Sequence, residues 1–132
     1  MVAMPQQVID MIKHPNTNKA MACVSPEGKP HMIVCGTLMV QSDDTVVVGD
    51  AFMYRTSEYL LKNPNVEFIV WRGREGYSVK ATMKARHIDG PVFDKMTQLL
   101  DRMNMTVSAV WEFEAQEVCD ESASENAGKR LV

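Results

Sequence analysis

At 132 residues, 45% of them apolar, the chain has the size of one domain and the apolar surface for a real core, so a single domain over residues 1–132 is expected. Fourteen basic against seventeen acidic side chains give a formal charge of -3, without the run of like charge needed to coat a nucleic-acid backbone or an anionic membrane. The N-terminus has no basic start leading into an unbroken apolar core, no stretch approaches the roughly 18 apolar residues of a membrane helix, and the three cysteines are odd in number and widely spaced, which together point to a reduced, cytoplasmic protein.

Pro5 suits the first turn of a short helix with Val8, Ile9, Met11 and Ile12 on its apolar side, ending before His14-Pro15. The runs "KAMACV" and "PHMIVCGTLMV" follow, separated by the turn Ser25-Pro26-Glu27-Gly28, and predict a hairpin. A second turn at Ser42-Asp43-Asp44 leads into "TVVVGD", so the first three strands should be antiparallel. A brief helix beginning near Arg55-Thr56 is stopped by Asn63-Pro64, and "VEFIVW" gives the fourth strand. From Tyr77 to Arg86 the chain alternates strictly, with Ser78, Lys80, Thr82, Lys84 and Arg86 on a wet or ligand-facing side.

Asp89-Gly90-Pro91 starts a helix whose stripe is Val92 or Phe93, Met96, Leu99, Leu100 and Met103. "SAVWEFEA" is the sixth strand, and the polar tail from about residue 120 to 132 is expected to be ordered only against a partner. The expected class is mainly β with peripheral helices: a six-stranded antiparallel sheet, most economically a small barrel. The eleven methionines suit a deformable core.

Several chemistries lack their residues. No strand is followed by GxGxxG or GxxxxGK[ST], and no GxSxG elbow occurs. No metal site is expected, since His14, His31 and His87 are far apart, and Cys35, four residues after His31, lies about 13 Å away along a strand. Cys23 and Cys35 sit in apolar strands, where burial raises a thiol pKa and leaves it inert.

The junction "VVVGDAFMYRTSEYLLKNP" offers more. The amide groups at its helix start lack intrahelical acceptors and attract an anion, although Thr56 or Ser57 could cap one of them without any ligand. Arg55 is not explained by capping, because a cation beside the positive end of a helix dipole costs roughly 0.3 to 1 kcal/mol. A phosphate there reverses the sign, through charge-assisted bonds of about 1.5 to 3 kcal/mol each. Lys80 offers a second positive charge.

The stretches "SPEGKPHMIVCGTLMV", "VVVGDAFMYRTSEYLLKNPNVEFIVW" and "GYSVKATMKARHIDGPVFDKM", in this order and spacing, resemble the pyridoxamine 5'-phosphate oxidase-like FMN-binding split barrels, particularly the small FMN-binding proteins. The likeness spans about Lys19 to Phe113. It implies a six-stranded split β-barrel that forms a homodimer with FMN at the subunit interface. By it, Arg55 and Thr56 match the phosphate-binding basic-Thr pair, and Lys80 matches a strand position approaching the phosphate. Cys35, Gly36 and Thr37 match the strand segment beside the cofactor, while Asp50, Ala51 and Phe52 match the loop along its ring and ribityl chain. Trp71 and Trp111 are apolar candidates for the ring environment or for the core. The family's vitamin B6 oxidase carries a C-terminal substrate-binding segment beyond "NAGKRLV", so that activity is not expected. The resemblance implies an FMN-dependent oxidoreductase or electron-transfer protein. The alternative is a non-enzymatic carrier or stress-response module for flavin, deazaflavin F420 or haem.

Overall fold

The computed structural model describes residues 1–132 as three helices and eight strands. Helix α1 (Gln6–Lys13) has Pro5 at its N-cap and buries Val8, Ile9, Met11 and Ile12; it ends at His14, which is extended because Pro15 follows. Strands β1 (Asn18–Val24) and β2 (Pro30–Val34) form the first hairpin. Its turn is closed by the Gly28 N–H donating to the Ser25 carbonyl at 2.9 Å, with Gly28 at φ +80°, a conformation that favours glycine. The second hairpin joins β3 (Met39–Ser42) to β4 (Thr45–Gly49). Helix α2 (Tyr54–Lys62), β5 (Asn65–Arg72), β6 (Glu75–His87), α3 (Gly90–Asp101), β7 (Val110–Asp120) and β8 (Lys129–Arg130) complete the order.

The sheet runs β2-β1-β5-β6-β7-β4-β3, with β8 added to β7, and every pairing is antiparallel. The mainly β, split-barrel class expected from the sequence is therefore present, but with eight strands rather than six. Residues 30 to 40 do not form one strand. The Cys35 N–H donates to the Lys19 carbonyl at 2.9 Å, continuing the β1–β2 register, and the Leu38 N–H then donates to the Cys35 carbonyl at 3.1 Å, a turn that takes the chain out of line. One continuous stretch thus supplies both edge strands, β2 and β3, and the Cys35–Leu38 segment links the two ends of an open sheet.

β4 is buried along its whole length, which explains its unbroken apolar run. Val46 and Val48 join the main core with Phe68, Trp111 and Phe113, where Phe68 and Phe113 meet edge to face at 5.3 Å. Val47 faces a smaller core under α3, with Met96, Leu100, Val107 and Val110. The expected α3 stripe is narrower than its spacing suggests: Met96 and Leu100 are buried, while Leu99 and Met103 stay exposed because α3 covers only part of the sheet.

The tail corrects a second expectation. It is ordered against its own chain: Val118 donates to the Val132 carbonyl at 2.9 Å, Leu131 to the Val118 carbonyl at 2.7 Å, and Ala123 to the Arg74 carbonyl at 2.8 Å. Leu131 and Val132 pack on the main core, so two apolar residues at the end anchor a polar segment. No helix is long and apolar enough to cross a membrane.

Candidate functional site

β4 reaches the junction at Gly49, where an added Cβ would lie 3.0 Å from Val107 Cγ1 and 3.2 Å from Leu100 Cδ1. Only a glycine lets the strand pass this close beneath α3 without displacing those side chains. The Thr37 hydroxyl holds the same residue twice, accepting from the Gly49 N–H at 2.9 Å and donating to the Gly49 carbonyl at 3.1 Å. The end of β4 is thereby fixed to the Cys35–Leu38 crossing.

Asp50 comes next and is buried. Its carboxylate accepts from the Met53 N–H at 3.3 Å, from Trp111 Nε1–H at 3.2 Å and from the Ser57 hydroxyl. Asp50 therefore organises the entrance to α2, and no side-chain hydroxyl caps the helix; Ser57 is turned back to the aspartate instead. Arg55 and Thr56 lie in the first turn, where amides have no intrahelical acceptor. Arg55 is exposed and belongs to none of the ion pairs of the chain. Thr56 Oγ1 is buried without any hydrogen-bond partner.

Beside this junction lies a cavity of about 370 Å³. Cys35, Gly36, Thr37, Ala51 and Phe52 all line it, so five of the sequence-derived site residues meet at one place. Met53 carries the lining to the start of α2, directly before Tyr54 and Arg55. Burial pushes the Cys35 thiol up to about 12 even with the Lys19 ammonium drawing it down, so the lining thiol stays protonated and is no nucleophile. The Thr37 hydroxyl and the Asp50 carboxylate are both engaged by the protein, and Asp50, Arg55 and Thr56 stand beside this cavity without lining it.

Lys80, Trp71 and Trp111 do not line this cavity. Lys80 lines a separate cavity of about 430 Å³ between β1, β5 and β6, and its ammonium sits 3.1 Å from Glu117 Oε2. That pair raises the Lys80 pKa and lowers that of Glu117. Trp71 is half-buried at the far end of β5, where its carbonyl accepts from Asn18 Nδ2 at 3.3 Å. Trp111 is wholly buried, which makes it a core residue.

Sequence reasoning missed Val34, Met103 and Met105 in the lining. Val34 is 87% exposed, and Phe52 and Tyr54 are 73% and 77% exposed, so the mouth of the cavity opens onto an apolar surface. The signal was available in β2, where Met32 and Val34 put apolar side chains on the face that a half-buried edge strand would make polar.

The sequence model of the family described as pyridoxamine 5'-phosphate oxidase matches residues 4–122. No curated protein matches the chain. Among solved structures, tagged HupZ from Group A Streptococcus superposes with a TM-score of 0.80 at 19% identity, covering 97% of this chain and 100% of that one. An FMN-binding protein from Syntrophomonas wolfei gives 0.78 at 18% identity, covering 91% and 85%. A protein described as F420 reductase gives 0.70 at 14% identity, covering 87% and 98%. At these identities the superpositions report the fold.

Proposed function

Since the chain belongs to the pyridoxamine 5'-phosphate oxidase family, we propose that it is a homodimeric flavoprotein that binds FMN at the α2 junction and uses it in electron or hydride transfer. The observation that carries this is the pairing, in one helical turn, of an exposed arginine without an ion-pair partner and a buried threonine hydroxyl without a hydrogen bond. A buried unsatisfied hydroxyl costs about 1 to 3 kcal/mol, and a cation at a helix start is unfavourable, so both are anomalies in the chain alone. A phosphate monoester at the helix start relieves the charge anomaly directly. The resident groups fit such a ligand.

FMN, when bound, supplies the redox chemistry. The chain's own part is to hold the phosphate with Arg55, Thr56 and the first-turn amides, and to enclose the ring between Cys35–Thr37 and Ala51–Phe52. The exposed apolar side chains at the mouth, Val34, Phe52 and Tyr54, are the surface that a second copy would cover. Lys80 and Trp71, which do not line this cavity, belong to the site only if the partner copy brings them there. The structural neighbour described as FMN-binding supports the choice of flavin.

The test is to load the purified protein with FMN and separate it by gel filtration, reading flavin absorbance in the protein peak. Arg55→Ala is expected to weaken FMN binding at least tenfold, the equivalent of one charge-assisted contact. Unchanged affinity would remove the phosphate assignment. The neighbour described as F420 reductase favours a second reading, F420 in the same place, which the mass of the bound cofactor distinguishes. Anaerobic titration with NADH or NADPH separates an oxidoreductase from a carrier, since only the former is reduced rapidly.

A further inference from the structure

A second cavity, of about 390 Å³, lies between the end of α1, strand β3 and α3. Its interior is apolar, built from Ile12, Leu38, Val40, Val47 and Met96, with the exposed Leu99 at its edge. Around that interior stand Lys13, His14, Lys19 and Lys95, and no aspartate or glutamate lines it. In a chain with more acidic than basic residues, three lysines gathered on one apolar hollow without a carboxylate is a marked segregation of charge.

None of these lysines takes part in an ion pair. Lys13 and Lys95 are exposed on the rim, while Lys19 is partly buried, its ammonium donating to the Leu38 carbonyl at 2.9 Å. Burial lowers the Lys19 pKa, the response of a cation short of a counter-charge, and the neighbouring Cys35 thiol, being protonated, supplies none. An inorganic anion would satisfy the rim and leave the hollow unfilled. A neutral apolar compound would fill the hollow and leave the rim unanswered.

We propose that this cavity binds an amphipathic anion, a carboxylate carrying an unbranched apolar tail of medium length, with the tail against Ile12, Val40 and Met96 and the head among the three lysines. The site is separate from the junction cavity, with which it shares only Met39 in its lining. It does not depend on the flavin assignment.

Calorimetric titration of the full chain with hexanoate, octanoate and decanoate tests this, with decanol and decyltrimethylammonium as neutral and cationic probes. The carboxylates are expected to bind with affinity rising about fourfold per methylene. Decanol should bind at least tenfold more weakly than decanoate, and the cation not at all. Lys13→Glu and Lys95→Glu, both at exposed positions and each checked for an unchanged melting curve, should each weaken decanoate at least fivefold. Arg55→Ala should leave decanoate affinity as it was, and saturation with FMN should not displace it. Binding of decanol as tight as that of decanoate, indifference to both charge reversals, displacement by FMN, or no carboxylate binding would each overturn the proposal.

Discussion

At the scale of single residues, the junction separates what folds the chain from what is left over. Asp50 gathers a backbone amide, an indole N–H and a hydroxyl onto one buried carboxylate, and so is committed to structure. Thr56 is the opposite case, a hydroxyl sealed from water with no partner. Thr56→Val keeps the shape and removes that unsatisfied group, so it is expected to raise the stability of the cofactor-free protein by up to about 1 kcal/mol while weakening FMN binding. Urea unfolding and FMN titration on the same variant check both halves, and a loss of stability would show that the hydroxyl serves the fold.

Cys35 gives a pH dependence with a definite sign. Its folded pKa, about 12, lies above the ordinary thiol value of 9.0, so its contribution to stability is complete below pH 9 and is lost as pH rises from there toward 12. The stability gap between the parent and Cys35→Ala should therefore narrow by about 1 to 2 kcal/mol between pH 8 and pH 10.5 in urea unfolding. A gap that stays constant would mean the thiol is not held neutral.

At the scale of elements, the hairpin turns, the α1 face and the alternating strand were legible because each is fixed by local chemistry. The alternation over Tyr77 to Arg86 lies within β6, although Ser78, expected on the wet side, is buried, and the register shifts between Met83 and Ala85; Pro5 and His14-Pro15 frame α1. The break in residues 30 to 40 was not legible. Its cause is the Thr37 clamp on Gly49, a partner that no window of local sequence contains, together with the turn closed from Leu38 to Cys35. The same holds for the site. Arg55 stood out because its charge conflicts with a helix start, a local contradiction. The role of Asp50 depends on Trp111, 61 residues away, and the apolar mouth depends on which face of β2 the sheet leaves uncovered.

For the whole molecule, the exposed Val34, Phe52 and Tyr54 are costly for a lone chain and coherent for a pair. Val34→Asp changes a side chain that is 87% exposed in one copy, so it should leave the melting temperature of the subunit nearly unchanged. In sedimentation analysis the same variant is expected to weaken self-association at least tenfold, with FMN retention falling in parallel. Val34→Asp sedimenting as the parent does would place the partner surface elsewhere.

The crossing at Cys35–Leu38 also bears on how the chain reaches this form. The crossing is held by partners in the two hairpins, Lys19 and Gly49, but the sheet it bridges also needs Asn18 paired with Trp71 and Thr45 with Glu114, both pairings between distant parts of the chain. Closing such long loops before their contacts repay the entropy is slow, and refolding on the scale of milliseconds to seconds is expected. The junction cavity, lined from β2, β4 and α3, exists only once those parts of the chain have come together.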